Sequence, residues 1–185
     1  MIKRVVDVGA SLAGLILFAL PMIAIGIAVR LDSPGPAIHW SQRFGAGGGL
    51  FAMPKFRTMR IGTPQLPTHL LGNGAANLTR IGGFLRRTSL DELPQLWSVL
   101  VGRMSLVGPR PALFNQHDLM ALRRQSEVEA LRPGITGWAQ INGRDDLSLV
   151  EKVRLDRAYR DCQSLAFDLQ ILVLTVLRGN RGIRH

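Results

Sequence analysis

The chain has 185 residues, of which 46% are hydrophobic, and yet its formal net charge is +10. A soluble cytosolic enzyme seldom combines these properties, whereas a protein that rests on anionic lipid or handles polyphosphate substrates can use both. The single cysteine, Cys162, excludes an internal disulfide framework, and four scattered histidines offer no zinc-ligand spacing. The length fits one globular unit with a modest core.

The first predicted element is an apolar helix. Residues 8–29 carry no charge and would form a helix of about 33 Å, enough to cross the hydrocarbon core of a bilayer. Pro21 lies in its middle, where a proline removes a backbone hydrogen bond and bends a helix. Basic residues flank both ends, at Lys3, Arg4 and Arg30, whereas a spanning helix carries its Lys/Arg excess on one side. The pattern favours a re-entrant helix broken at Pro21, with a spanning helix as the open alternative.

A β-hairpin is predicted next. Residues 37–44 and 50–59 fit two short strands, and the second carries Lys55 and Arg57. The glycine-rich stretch 45–49 between them is not a phosphate-binding P-loop, because no Gly-Lys-Ser/Thr follows it. Residues 61–77 are rich in Gly, Pro, Thr and Asn and are predicted to form a mobile loop.

The remainder is predicted to be mostly helical. Helical patterns occupy five further segments: residues 78–87, 90–100, 112–131, 147–163 and 164–178. A Gly-Pro-Arg-Pro turn at 107–111 and an irregular glycine-rich stretch at 132–144 separate them. The last helix is very apolar and is expected to lie against lipid or against the core.

Asp91 and Glu92 form the most informative pair of the chain. In one interpretation they only start a helix, since Ser89 with Glu92 fits a capping box and Pro94 fits a first turn. In the other, the helix start keeps Asp91 ionised, so that it can attack phosphorus and form an acyl phosphate. Glu92 can then help to hold Mg²⁺ against substrate phosphates. Arginines that can stabilise a transferring phosphoryl group surround the pair in sequence: Arg80, Arg86, Arg87, Arg103 and Arg110.

Beyond this pair, the chain resembles the bacterial sugar transferases, also called monotopic phosphoglycosyl transferases, along nearly its whole length. The blocks that carry the resemblance follow in the family's order: KRVVD at 3–7, SPGP at 33–36, QR at 42–43, KFRTM at 55–59, RRTSLDELPQL at 86–96, MSLVGPRP at 104–111, RPGITGWAQ at 132–140 and NGR at 142–144. The departures from the family pattern include Leu20, where some members have Ser before the proline, and Arg103, where Asp is usual.

The resemblance implies a reaction in two steps. Asp91 would attack the β-phosphate of a UDP-sugar, release UMP and carry the phosphosugar covalently. A polyprenyl phosphate, expected to be undecaprenyl phosphate, would then accept it, as the first membrane step of exopolysaccharide, O-antigen or glycoprotein glycan synthesis. The implied cofactor is Mg²⁺, held by Glu92 with Asp91 beside it.

Candidate substrate-binding residues are basic, acidic and aromatic: Lys55, Arg57, Arg86, Arg110, Arg144, Asp156, Tyr159 and Asp168. Lys55, Arg86 and Arg110 match basic residues of the family's site. Arg144 could instead pair with a neighbouring aspartate, and Tyr159 also fits core packing.

The expected fold is α+β and mostly α-helical. A re-entrant membrane helix, broken at Pro21, is expected over residues 1–32, and a catalytic domain with a short β-hairpin and amphipathic interfacial helices over 33–185. The expected place is the bacterial inner membrane, with this domain on the cytoplasmic face and in contact with membrane lipid. No nucleic-acid partner is expected, since the basic residues lack aromatic interleaving. The alternative function is a non-catalytic, membrane-anchored basic protein that binds anionic lipid or a partner.

Overall fold

The protein is described by a computed structural model that covers residues 2–64, 76–143 and 146–178. The predicted α+β class with mostly helical structure is confirmed. Most of the predicted mobile loop (residues 65–75), the candidate Arg144 and the C-terminal residues 179–185 lie outside the described residues.

Two helices form the apolar N-terminal segment, α1 (Ile2–Leu17) and α2 (Ala19–Asp32). The helix axis bends by 61° between them. The break lies at Phe18, so its predicted position at Pro21 is wrong. Pro21 instead lies in the first turn of α2, where a proline is tolerated. It has no N–H to donate to the carbonyl of Leu17 one turn earlier, and its ring crowds that carbonyl. The helix is therefore interrupted at Phe18, three residues before the proline.

The start of α1 is tied to the rest of the molecule by polar side chains. Lys3 Nζ lies 2.6 Å from Oδ2 of Asp168, and Arg4 donates to two backbone carbonyls at the C-terminal end of a later helix, at 2.6 and 2.8 Å. Asp7 Oδ1 accepts a hydrogen bond from the N–H of Leu106 at 3.1 Å. The first two turns of α1 are thus part of the folded body.

The end of α2 contacts the same body. Val29 is 1% exposed and packs with Phe56 and Leu85, and Oδ2 of Asp32 accepts from the N–H of Ile81 at 3.3 Å. Both ends of the bent pair are therefore held by one folded unit. In the described part of the chain, no single helix is long and apolar enough to cross a bilayer; the bent pair α1–α2 passes that test by length and composition.

The predicted hairpin is confirmed. Strands β1 (Ile38–Phe44) and β2 (Leu50–Phe56) are antiparallel and are joined through a 3₁₀ turn at Ala46–Gly48. A second, parallel pair consists of β3 (Ser105–Val107) and β4 (Gly134–Thr136). β4 lies in the stretch that was predicted as irregular, and β3 leads into the predicted turn at 107–111. Strands of three residues are too short to show an alternating pattern, so the sequence did not reveal them.

The predicted helices are present but shorter. They are α3 (Gly82–Thr88), α4 (Gln95–Leu100), α5 (His117–Gln125), α7 (Leu149–Asp161) and α8 (Leu165–Arg178), with an additional short α6 (Trp138–Ile141). Helix α5 begins later than predicted because the preceding residues pair with β1: the N–H of Phe44 donates to the Ala112 carbonyl at 2.9 Å. A core cluster of Phe51, Met53, Val99 and Met104 joins β2 to α4.

Candidate active site

Asp91 and Glu92 lie on a 3₁₀ turn, Leu90–Glu92, between α3 and α4. The predicted capping box is wrong. Ser89 adopts the left-handed conformation, with φ of 56°, and its side chain makes no helix-cap hydrogen bond; the N–H of Glu92 donates to the Ser89 carbonyl at 3.1 Å. This conformation costs a non-glycine residue about 1–2 kcal/mol. It turns the chain sharply after α3 and so delivers both carboxylates to one place.

Basic side chains from three other segments surround this pair. Lys55 on β2, Arg86 on α3 and Arg110 after β3 all interact with the Asp91 carboxylate through their charges. Nη2 of Arg110 lies 3.5 Å from Oε1 of Glu92. Nε of Arg86 is oriented by a hydrogen bond of 2.9 Å to a threonine hydroxyl next to β2. The structure therefore brings together five of the residues that the sequence predicted for the site.

Asp91 is 6% exposed, and burial raises its pKa to about 6, with a further contribution from the Glu92 carboxylate. The charges of Lys55, Arg86 and Arg110 oppose this rise without cancelling it. The start of the helix was expected to keep Asp91 ionised; with a pKa of about 6, the carboxylate is still mostly ionised at neutral pH. Burial disfavours the charged form of Asp91, and the surrounding cations favour it.

Lys55 is partly buried in the same cluster. Burial, the largest cause, and the nearby charges of Arg43 and Arg86 together lower its pKa to about 8, against the attraction of Asp91 and Glu92. Its ammonium is therefore still mostly protonated at neutral pH, in a place poorly screened by water. A buried carboxylate facing such cations suits chemistry at an anionic phosphorus centre.

A family model described as bacterial sugar transferase matches residues 1–181. The chain belongs to the bacterial sugar transferase family.

Several curated relatives of this sugar transferase carry functional names. It is 39% identical to a UDP-glucose:undecaprenyl-phosphate glucose-1-phosphate transferase of Escherichia coli, over 97% of this chain and 40% of the relative. It is 42% identical to a protein of the same name from Xanthomonas campestris pv. campestris, over 85% and 34%. An uncharacterized sugar transferase of Bacillus subtilis is 40% identical, over 95% and 86%. The chain thus spans less than half the length of the first two relatives.

Asp91 and Glu92 are the candidate Mg²⁺ ligands of this sugar transferase. Within residues 2–64, 76–143 and 146–178, no group of three or more His, Cys, Asp or Glu side chains could hold a metal ion. Mg²⁺ does not need such a cage, because it binds through one or two carboxylates together with waters and substrate phosphates. Asp91 and Glu92 supply oxygen ligands of this kind. The donor set therefore fits Mg²⁺ that is shared with a diphosphate.

Arg57 does not join the acidic pair. Its three guanidinium nitrogens donate to the backbone carbonyls of Ser33, Pro34 and Pro36 at 2.7–2.9 Å, and the residue is 6% exposed. Arg57 thus fixes the loop between α2 and β1. The sequence placed it in a block that resembles the family but gave no sign of this structural role.

Asp156 lies behind the site, on α7. Its Oδ2 accepts hydrogen bonds from Nε and Nη2 of Arg123, at 3.1 and 2.7 Å. Nη1 of Arg123 donates to the backbone carbonyl of Arg110 at 2.9 Å. Arg123 was missed in the sequence analysis, because nothing in a helical segment distinguishes a buried arginine from an exposed one.

Tyr159 and Asp168 belong to a separate buried network. The Tyr159 hydroxyl donates to Oδ1 of Asp168 at 2.6 Å, and it lies 3.1 Å from the carbonyl oxygen of Val107. Oδ2 of Asp168 accepts from Lys3. Burial raises the pKa of Tyr159, so its hydroxyl stays protonated. These contacts give both residues a role in joining α1, α7 and α8.

Proposed function

We propose that this sugar transferase moves a sugar-1-phosphate from a UDP-sugar to a polyprenyl phosphate and releases UMP. The observation that carries the proposal is the buried Asp91, paired with Glu92 and faced by Lys55, Arg86 and Arg110. The names of the relatives combine UDP-glucose with undecaprenyl phosphate, which supports a nucleotide-sugar donor and a lipid phosphate acceptor.

In the first step, a carboxylate oxygen of Asp91 attacks the β-phosphorus of the donor. A bond forms between this oxygen and phosphorus, and the bond from phosphorus to the oxygen that bridges the two phosphates breaks. UMP leaves with the bridging oxygen and its electron pair. Lys55, Arg86 and Arg110 stabilise the negative charge that spreads over the phosphoryl oxygens.

In the second step, a phosphate oxygen of the polyprenyl phosphate attacks the same phosphorus. The bond to Asp91 breaks, and the aspartate leaves as a carboxylate, ready for another cycle. Since Asp91 is 6% exposed, water has little access to the acyl phosphate between the two steps.

Glu92 and Asp91 would hold Mg²⁺ together with the donor's diphosphate, where the ion would neutralise phosphate charge. The contact between Glu92 and Arg110 is long, at 3.5 Å, so Glu92 can accept a metal ion without losing a short ion pair.

We further propose that α1 and α2 form a re-entrant membrane segment, because both of its ends are bound to one folded body. Helix α1 buries Asp7 and Ser11 while Ile16 and Leu17 are 70% and 72% exposed. A helix surrounded by water shows the opposite pattern. The exposed apolar tip around the bend would enter the bilayer, and the body would lie at the cytoplasmic face of the inner membrane, where an acceptor phosphate is within reach.

The deciding experiment compares the wild type with Asp91→Asn in lipid nanodiscs. A panel of UDP-sugars that includes UDP-glucose is scored by UMP release, with undecaprenyl phosphate as acceptor. The variant should lose roughly 10³-fold or more in rate. Without acceptor, the intact mass of the wild type should increase by one phosphosugar, and that of the variant should not. Full activity of Asp91→Asn, or no turnover of any UDP-sugar by the wild type, would refute the proposal.

A further inference from the structure

Two guanidinium groups hold consecutive backbone carbonyls at Arg110. Nη1 of Arg123 donates to the carbonyl of Arg110 at 2.9 Å, and Nη1 of Arg43 donates to the carbonyl of Pro111 at 3.1 Å. Arg110 also lies between Pro109 and Pro111: each proline fixes its own φ, and the residue before Pro111 is restricted to extended conformations. The bonds to the two carbonyls fix the orientation that the prolines leave open.

Arg123 is itself held rigidly. Its Nε and Nη2 both donate to Oδ2 of Asp156, at 3.1 and 2.7 Å, and the two side chains are only 7% and 2% exposed. Helix α5 carries Arg123 and helix α7 carries Asp156. All three guanidinium nitrogens of Arg123 are thus engaged, two with the aspartate and one with the backbone of Arg110.

We infer that Arg123, oriented by Asp156, is a positioning residue that sets the location of the Arg110 guanidinium relative to Glu92. The inference rests on the proposed function, in which Arg110 stabilises the charge of the transferring phosphoryl group. A buried ion pair is often no more stabilising than apolar residues of similar volume. The third hydrogen bond of Arg123, to the Arg110 carbonyl, fixes the backbone of Arg110, and apolar side chains could not make this bond.

Asp156 therefore acts through two other residues rather than on the substrate. Its path runs from the carboxylate through Arg123 to the Arg110 backbone, and from the Arg110 side chain to Glu92. Loss of this support should lower kcat more than it raises KM for the donor, because Arg110 is displaced from the developing charge.

A double-mutant cycle tests this path. Arg123→Gln/Asp156→Asn removes both charges and so leaves no lone buried ion. With Arg110 present, kcat for UMP release should fall roughly 10–100-fold, the range expected when a charge-stabilising group is misplaced. In an Arg110→Ala background, the same double substitution should change kcat by no more than about twofold, because its target is gone. Thermal unfolding of each variant in nanodiscs shows which ones are folded.

A second variant and a control complete the design. Arg123→Lys keeps the charge beside Asp156 but has no planar fork to reach the Arg110 carbonyl as well, so it should lose kcat while staying folded. The neighbouring Arg124 pairs with Glu129 and its side chain is 74% exposed, so Arg124→Gln should keep kcat within about twofold.

The outcomes separate the two proposals. Suppose that the wild type releases UMP while the double substitution lowers kcat by the same factor with and without Arg110. In that case, or if Arg123→Lys keeps the wild-type kcat, the positioning role is wrong and the transferase function stands. If the wild type turns over no UDP-sugar, the function itself fails. Should the Arg123→Gln/Asp156→Asn variant not fold, the same cycle is run with Arg123→Lys and decides by the same criterion.

Discussion

Nη2 of Arg110 lies 3.5 Å from Oε1 of Glu92, and this contact joins the turn after β3 to the 3₁₀ turn that carries the acidic pair. Helix α4 and strand β3 lie between these two turns in the sequence. The charge of Arg110 also lowers the pKa of the Asp91 carboxylate, so Arg110 influences both members of the pair.

Arg110→Ala should therefore reduce kcat for UMP release by roughly 10²–10³-fold, the usual loss for one group that stabilises transition-state charge. Arg110→Lys should recover only part of this loss, since an ammonium lacks the planar fork that binds two phosphate oxygens. Steady-state kinetics on both variants measures this. An alanine variant within about threefold of the wild type would contradict the role assigned to Arg110.

Glu92→Gln should raise the concentration of Mg²⁺ that gives half-maximal activity, because an amide is a weaker ligand for a hard cation than a carboxylate. Removal of divalent ions with EDTA should stop UMP release by the wild type, and added Mg²⁺ should restore it. The control is Glu127→Gln, whose side chain is 82% exposed and pairs with Arg160. Identical Mg²⁺ dependence of Glu92→Gln and the control would exclude Glu92 as a metal ligand.

Lys55→Met should stabilise the fold and impair activity. Burial lowers the pKa of Lys55 to about 8, against about 10.4 in an unfolded chain. The unfolded state therefore holds this proton more tightly, and the charge costs the native state on the order of 2–3 kcal/mol at neutral pH. The free energy of unfolding of the wild type should rise as the pH rises from about 8 to about 10.4.

Denaturation curves in detergent at pH 7, 8, 9 and 10 test this prediction. Lys55→Met should begin at higher stability and lack the rise that comes from Lys55. Its UMP release should be lower at every pH, because a cation beside Asp91 is missing. Parallel stability curves for wild type and variant would show that Lys55 is not desolvated.

The re-entrant topology predicts that both ends of the α1–α2 pair are accessible from one side. In a Cys162→Ser background, Ile2→Cys and Leu31→Cys should both react with a membrane-impermeant maleimide from the cytoplasmic side. These two positions are suitable since the side chains are 68% and 83% exposed. Leu17→Cys, at the bend, should be protected on both sides. Labelling of positions 2 and 31 from opposite sides would instead indicate a spanning helix.

The sequence identified much of the candidate site because residue types and the order of motifs along the chain can be read without knowing the fold. Asp91, Glu92, Lys55, Arg86 and Arg110 were selected from motif blocks, and the structure brings all of them together. For Arg57, Asp156 and Asp168, the sequence could not distinguish a place in the site from a structural role. Their partners are backbone carbonyls, Arg123 and Lys3, which lie far from them in the chain.

The sequence by itself determined the kinked apolar segment, the hairpin, the acidic pair and the family, since each depends on neighbouring residues or on the order of motifs. Only the tertiary structure decided that the break falls at Phe18, that Ser89 is left-handed, and that Asp91 is buried enough for its pKa to rise to about 6. It alone revealed Arg123 behind Arg110. Burial, desolvation and hydrogen bonding depend on which distant segments meet, and a local pattern carries no information about those contacts.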